Sequence, residues 1–211
     1  MLGRRYDSVL FDLLTALLDS WTLWNNVAGS EEAGRRWRAE YLRITYRTGQ
    51  YRSYGALVGE AAEKVGLPRG LTDVLDARYA ELKPWPGVTD TLRALKSSGL
   101  RLGVVTNCSE RLGRIAVAAV GIDFDTVITA ERAGFYKPHE RPYRLGLQAL
   151  ESAPARCLFV AGSSYDLTGT AKVGLDTFWH NRVGLVLPPD APKPLYHSQT
   201  IDLLSEVALA R

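Results

Sequence analysis

Cysteine, histidine and long hydrophobic stretches are all scarce in this sequence. Its 211 residues include two cysteines and three histidines, and their spacing is that of no metal site. No apolar run approaches the roughly 20 residues needed to span a bilayer, and the N-terminus leads into a predicted strand without a separate signal-peptide segment. We therefore expect a cytoplasmic protein with no membrane contact, no bound metal, and reduced thiols at Cys108 and Cys157.

An excess of one charge is also lacking. Subtracting 23 acidic residues from 26 basic ones leaves +3, and the basic residues are scattered rather than gathered into a patch with interleaved aromatics. Nucleic acid is therefore not an expected partner. The apolar fraction of 46% and the charged fraction of 23% are those of ordinary globular proteins. A chain of this length can bury one core and still hold an inserted subdomain.

Short apolar runs that end in polar residues alternate with helical stretches from about residue 88 onward. The predicted strands cover residues 8–12, 102–107, 126–129 and 157–161. This alternation predicts an α/β fold, a doubly wound parallel sheet with helices on both faces. In such sheets the polar residues beyond the carboxyl ends of the strands meet in one crevice, where ligands bind.

One long segment breaks this alternation. Residues 19–85 are predicted to form helices without an intervening strand, and their apolar residues include a helical stripe of Trp37, Tyr41 and Ile44. The proline-rich residues 83–87 form a rigid hinge at its end. We expect a helical cap, residues 19–85, over a core of residues 1–18 and 86–211. Exposed aromatics on the cap would favour a homodimer.

Asp12 ends the first predicted strand, at the mouth of the sheet. A carboxylate there can be a nucleophile, a metal ligand or only the cap of the next helix, and its position alone does not distinguish these roles. The other polar strand ends shift the balance among them, because they occur in order and at suitable separations.

Four segments resemble, in order, the motifs of the haloacid dehalogenase superfamily. Residues 11–20 resemble the first motif, residues 105–107 the second, residues 136–138 the third and residues 159–166 the fourth. The resemblance extends from about residue 7 to residue 183. It implies the superfamily's Rossmann-like core with a helical cap, and an aspartate nucleophile at Asp12.

Most of this superfamily transfers phosphoryl groups, using Mg²⁺ and a second aspartate two residues after the nucleophile. That position is Leu14 here, and an aliphatic side chain can neither ligate a hard cation nor donate a proton. The fourth motif offers one carboxylate, Asp166, where the phosphatases usually have two. These differences favour the L-2-haloacid dehalogenases, the branch that works without metal.

This branch implies a role for each matching residue. Asp12 would attack the substrate, Lys137 would keep it charged, and Asp166 would position Lys137 and the hydrolytic water. Arg38 and Asn107 would receive the halide. The other residues placed around the substrate are Leu13, Leu14, Thr15, Thr106, Tyr143 and Ser163, of which Thr106 would help to bind the carboxylate. The substrate would be a short 2-haloacid, the products a halide and a 2-hydroxyacid, and no cofactor would be needed.

Without the resemblance, these residues have simpler interpretations. Arg38 could be a solvated arginine like its helix neighbours, Lys137 a surface lysine, and Thr106 or Asn107 a helix cap. The chain also departs from the branch, with Thr15-Ala16 where the family has Gly-Thr, and with Ala161 and Ser163 where its best-known members have Ser and Asn. Two other functions stay open: a phosphatase or other hydrolase using Asp12, or a catalytically disabled binding protein.

Overall fold

The computed structural model describes residues 4–210 and contains one parallel sheet of six strands. The strands are β1 (Ser8–Phe11), β2 (Arg101–Thr106), β3 (Thr126–Thr129), β4 (Cys157–Ala161), β5 (Asp176–His180) and β6 (Tyr196–Ser198). Their order across the sheet is β3-β2-β1-β4-β5-β6. The predicted α/β fold and its four predicted strands are confirmed. β6 was not predicted, because it is a short edge strand with two exposed residues and no apolar run.

The order of the strands determines where a ligand can bind. β1 lies in the middle and pairs with β2 on one side and β4 on the other, so that Phe11 is opposite both Val104 and Val160. The chain continues from β1 to β2 on one side and from β4 to β5 on the other, so that the connections diverge at this point and a crevice opens beyond the carboxyl end of β1. Asp12 is the first residue in that crevice.

Ten helices complete the described part of the chain. Four of them lie within the insertion, residues 19–85, that follows β1: α1 (Ser20–Ala28), α2 (Glu31–Thr48), α3 (Tyr54–Lys64) and α4 (Leu71–Ala77). The others are α5 (Val88–Ser97), α6 (Glu110–Val120), α7 (Ala130–Ala133), α8 (Glu140–Ala149), α9 (Tyr165–Val173) and α10 (Leu204–Leu209). None of the helices within residues 4–210 is long and apolar enough to cross a lipid bilayer.

Alternate side chains of the strands enter two apolar clusters, one on each face of the sheet. Val9 and Phe11 point into one cluster, and Leu10 points into the other. This is the pattern of strands that are covered on both faces. The first cluster continues into the helices between β1 and β2, where it buries Trp24 and Trp37.

The insertion is helical as predicted, and its two connections to the sheet run side by side. Leu18 and Pro84 form an antiparallel bridge, while the Trp85 amide donates to Leu17 O at 2.9 Å. The exact division into cap and core stays a prediction. One detail was wrong: the aromatic residues of the insertion are not exposed as a group, since Trp21, Trp24, Trp37 and Tyr41 are all buried.

Candidate active site

Asp12 is a buried carboxylate whose two oxygens face different partners. Oδ1 accepts a hydrogen bond from Lys137 Nζ at 2.8 Å. Oδ2 accepts from the backbone amides of Thr15 and Ala16, at 3.0 and 3.1 Å, and from the Thr15 hydroxyl. The carboxylate therefore does cap the turn that follows β1, as the simpler interpretation held, but one oxygen stays directed at a buried cation.

Lys137 and Asp166 complete a buried charge triad with Asp12. Lys137 Nζ lies 3.0 Å from Asp166 Oδ1, and all three side chains are almost fully buried. Lys137 is thus not a surface lysine. It brings together residues that are far apart in the sequence, and it leaves one net negative charge among the three groups.

The triad gives its two carboxylates different acidities. Burial alone would raise the pKa of Asp12, but the charge of Lys137 and hydrogen bonds from Lys137 and Thr15 outweigh it and place that pKa below its usual range. Burial raises the pKa of Asp166 to about 6, despite the opposing charge of Lys137. Burial alone would lower the pKa of Lys137, but the two carboxylates raise it and keep the ammonium charged. Two carboxylates whose pKa values differ in this way are suited to different chemical roles, one as an ionised nucleophile and the other as an acid or base.

Two predicted site residues hold the triad in place. The Tyr143 hydroxyl donates to Asp166 Oδ1 at 2.8 Å. Asn107 is not a helix cap: its amide accepts from the Lys137 backbone N at 2.8 Å and donates to Lys137 O at 3.1 Å. The cap of α6 is Ser109. Asn107 therefore positions Lys137 and keeps one N–H for a ligand, because its Nδ2 carries two protons.

Arg38 is buried within a group of aromatic rings and is not the solvated arginine of the simpler interpretation. Its Cζ lies 5.0, 5.4 and 5.8 Å from the ring centroids of Trp24, Tyr41 and Trp21. Nη2 donates to Ser20 Oγ at 2.9 Å, whereas Nε and Nη1 have no hydrogen-bond partner among residues 4–210. A buried guanidinium with free donors and aromatic walls is suited to an anion.

Two buried hydroxyls of the site also lack partners in the described part of the chain. They are Thr106 Oγ1, at the end of β2, and Ser163 Oγ, just beyond β4. Buried polar atoms are normally satisfied, so unpaired ones at strand ends indicate space for a polar ligand. Leu13 and Leu14 are buried in the apolar cluster beside them, and their side chains can offer a substrate only apolar contact.

The Thr15-Ala16 departure does not deprive Asp12 of a hydroxyl partner. Thr15 Oγ1 donates to Asp12 Oδ2, so a threonine one position earlier than in the family reaches the carboxylate. This requires a close approach by the loop after β4, since a Cβ at Gly162 would clash with the backbone of Thr15 and Ala16. Glycine is the residue that permits such contact.

Two tyrosines of α2 reach the site, although the sequence gives no reason to assign them to it. The Tyr41 hydroxyl donates to Asn107 O at 2.7 Å. The Tyr46 ring stacks on Tyr165, with centroids 4.8 Å apart, and burial together with the charge of Asp166 raises the pKa of Tyr46. A tyrosine on an amphipathic helix usually only fills the core, so no signal in the sequence distinguishes these two.

The residues around Asp12 do not fit Mg²⁺, the ion that most of the resembled superfamily uses. Mg²⁺ needs oxygen ligands in octahedral geometry, and Leu14 provides none. The two carboxylates that remain, Asp12 and Asp166, are both paired with Lys137 Nζ. Within residues 4–210, no three His, Cys, Asp or Glu side chains are grouped closely enough to hold a metal.

Comparison with known proteins agrees with the family resemblance that the four motifs indicate. Residues 6–174 match the family model described as haloacid dehalogenase-like hydrolase. The chain is 31% identical over 196 residues to the (S)-2-haloacid dehalogenase H-109 of Pseudomonas putida, a match that covers 85% of this chain and 88% of that protein. It is 31% identical over 199 residues to the (S)-2-haloacid dehalogenase of Pseudomonas sp. strain YL, covering 84% of each.

A solved structure is similar to this chain over its whole length. A dehalogenase crystallised with an intermediate complex superposes with a TM-score of 0.85 at 26% identity, covering 100% of both chains. The resemblance drawn from the four motifs is thus confirmed by independent matches over most of the chain. These matches show that the chain belongs to the haloacid dehalogenase-like hydrolases.

Proposed function

We propose that this protein is a hydrolytic dehalogenase of short 2-haloacids, in which Asp12 is the nucleophile. The observation that carries the proposal is that two features occur together. Asp12 is buried and bonded to Lys137 Nζ, and the buried Arg38 has two nitrogens without partners in residues 4–210 that can donate to an anion. The relatives named above are (S)-2-haloacid dehalogenases, which supports the same reaction.

In the first step, Asp12 Oδ1 attacks the halogen-bearing α-carbon. The new C–O bond forms as the C–halogen bond breaks, and the halide leaves with the bonding electrons toward Arg38 and Asn107. The substrate carboxylate is held by Thr106, whose buried hydroxyl is unpaired within residues 4–210. Lys137 keeps Asp12 ionised, and donors already aimed at the leaving group need no reorganisation as its charge develops.

In the second step, water cleaves the ester formed on Asp12. Asp166 takes a proton from that water, whose oxygen attacks the Asp12 carboxyl carbon while Ser163 helps to orient it. Oδ2 has become the ester carbonyl oxygen, and it lies against the Thr15 and Ala16 amides and the Thr15 hydroxyl, which stabilise the oxyanion. The Cγ–Oδ1 bond then breaks, and the proton on Asp166 passes to Oδ1, which leaves as the hydroxyl of the 2-hydroxyacid. The second proton of the water goes to solvent as Asp12 becomes ionised again.

Chloride release from L-2-chloropropionate in EDTA tests this function. We expect steady release, with no gain on adding Mg²⁺, because the mechanism uses no metal and Leu14 removes a ligand position. A chloride electrode or a colorimetric halide assay measures it. A set of short chloro- and bromo-acids serves as the panel. If none of these acids releases halide, the proposal is wrong.

Two other functions have distinct signatures. Mg²⁺-dependent turnover of a phosphomonoester would establish a phosphatase, against which Leu14 and the Lys137 pairing argue. Failure of every substrate, with tight binding of a small acid, would establish a binding protein. A binding protein has no chemical need for Asp12, Arg38, Lys137 and Asp166 together.

The acidity of Asp166 predicts the pH dependence of ester hydrolysis. Asp166 accepts a proton only when ionised, so the rate of this step should fall at acidic pH. The pKa of Asp166 is about 6 in the free enzyme, where the charge of Asp12 helps to raise it. Asp12 is uncharged in the ester, so the fall should begin below that pH. Tyr143→Phe should move this acidic limb to higher pH, because the lost hydrogen bond favours the ionised form. Single-turnover rates of ester hydrolysis across pH measure the shift.

A matched control for that experiment is Tyr165→Phe. Tyr165 is the sequence neighbour of Asp166, yet it is 40% exposed and its ring stacks on Tyr46. Its variant should keep the limb where it is in the parent enzyme. If Tyr143→Phe leaves the limb in the same place, Asp166 is not the base whose ionisation is observed.

We also propose a cytoplasmic enzyme that acts as a homodimer. Cys108 and Cys157 are buried free thiols, and burial raises the pKa of Cys157 to about 11, so this thiol stays protonated and unreactive. The homodimer is supported by the resemblance to the dehalogenases alone, because the cap aromatics are buried. Sedimentation of the purified protein at several concentrations tests it directly.

A further inference from the structure

Ser20, the first residue of α1, joins Arg38 to the loop that carries the nucleophile. Its side chain is buried, with 1% of the residue exposed. Ser20 Oγ accepts from Arg38 Nη2 at 2.9 Å and donates to the backbone carbonyl of Leu14. The direction of both bonds is determined, because a guanidinium can only donate and a carbonyl can only accept.

The Leu14 carbonyl belongs to the same peptide group as the Thr15 amide. That amide donates to Asp12 Oδ2 at 3.0 Å. A peptide group that accepts a hydrogen bond at its oxygen is polarised and becomes a better donor at its nitrogen. The hydrogen bond from Ser20 therefore strengthens the Thr15 amide as a donor, and this amide faces the ester carbonyl in the proposed function.

Ser20 also restricts the orientation of Arg38. Within residues 4–210, it is the hydrogen-bond partner of the guanidinium, since Nε and Nη1 have none. The aromatic rings hold the guanidinium at about 5 to 6 Å from their centroids, but ring faces do not determine its rotation about its own axis. The bond to Ser20 determines which of its donors point into the site.

We infer that Ser20 is a positioning residue that couples the halide-binding arginine to the nucleophile loop. The inference rests on the proposed function. It has two consequences, because one hydroxyl serves both neighbours. Removing it should weaken the stabilisation of the departing halide, and it should also slow hydrolysis of the ester.

The test compares Ser20→Ala with Ser20→Thr on L-2-chloropropionate and L-2-bromopropionate. Chloride is the poorer leaving group and depends more on Arg38. Ser20→Ala should therefore lose about tenfold with the chloro acid and clearly less with the bromo acid. Its ester intermediate, followed by mass spectrometry in single turnover, should persist several times longer. Ser20→Thr keeps the hydroxyl and should restore both values.

Trp85→Phe separates the two effects. Trp85 Nε1 donates at 3.1 Å to the carbonyl of Thr15, whose peptide group supplies the Ala16 amide to Asp12. It makes no hydrogen bond to Arg38. This variant should slow ester hydrolysis while keeping the ratio of bromo to chloro rates at the parent value.

Each outcome decides the inference. If Ser20 has a purely structural role, Ser20→Ala only lowers the fraction of folded protein. The variant would then lose the same factor in rate with both substrates, and the lifetime of its ester intermediate would not change. That result overturns the inference and leaves the dehalogenase function intact. If the parent enzyme releases halide from neither acid, the proposed function and the inference about Ser20 are both wrong. If Ser20→Ala does not fold, Ser20→Cys, a weaker donor and acceptor, should give an intermediate rate ratio, and an unchanged ratio overturns the inference.

Discussion

Asp12→Asn should give a folded protein that releases halide at least about 10⁴-fold more slowly than the parent, on the scale seen when a covalent nucleophile is lost. An amide at this position cannot attack the α-carbon, although it has nearly the same shape. Its NH₂ group must face either Lys137 Nζ or the amides of Thr15 and Ala16, all of which are donors. One side is therefore left unsatisfied, and we expect the free energy of unfolding to fall by about 1–3 kcal/mol.

The matched control is Asp19→Asn. Asp19 ends the same loop and caps α1 through the amide of Thr22, and asparagine caps a helix about as well. This variant should keep both activity and stability. Circular dichroism and halide release measure the pair, and peptide mass excludes deamidation of the introduced asparagine back to aspartate.

Isotope labelling of the parent enzyme makes the assignment direct. After a single turnover in ¹⁸O-water, label should appear in the peptide that contains Asp12, because the hydrolytic water replaces the oxygen carried away by the product. Label found only in the 2-hydroxyacid would show that water attacks the substrate directly, and would remove Asp12 from the role of nucleophile.

Arg38→Lys should lose about a hundredfold in turnover, or about 3 kcal/mol, the typical effect of removing a donor aimed at developing charge in a dry site. A lysine can keep the positive charge near the rings of Trp24 and Tyr41. It cannot reproduce the planar set of donors in which one binds Ser20 while the others face the ligand. Arg38→Ala should therefore be about as inactive as Arg38→Lys.

Two neighbouring arginines serve as controls. Arg35 and Arg36 lie on the exposed side of α2, and Arg35 pairs with Glu31 at 2.9 Å. Arg35→Ala and Arg36→Ala should be nearly neutral. Equal losses in all three positions would mean that the helix provides only a general positive field. No loss at Arg38 would remove it from the halide site.

Much of the fold follows from patterns that are local in the sequence. Apolar runs of strand length, each ending in a polar residue and separated by helical stretches, identify a parallel sheet, because buried parallel strands need apolar residues on both faces. The same reasoning places Asp12 and Thr106 at the mouth of that sheet. Leu14 is equally local evidence, since an aliphatic side chain cannot bind a cation in any fold.

The partners of these residues are not local, and only the packed structure decides them. Arg38 and Arg36 look alike in the sequence, but the aromatic rings of α1 cover the Arg38 side of α2 and leave Arg36 in solvent. Asn107 could have capped a helix, yet Ser109 does so and frees Asn107 to hold Lys137. Both outcomes depend on which surfaces meet, which the sequence of one helix or loop does not encode.

By itself, then, the sequence determined the sheet, the helical insertion and the chemical types of the site residues, because strand and helix periods and side-chain chemistry are properties of short segments. The tertiary structure decided that Lys137 lies between Asp12 and Asp166, and that the hydroxyl of Ser20 joins Arg38 to the nucleophile loop. The physical reason is burial: a charge or hydroxyl removed from water must find partners among whatever groups the folded chain brings there.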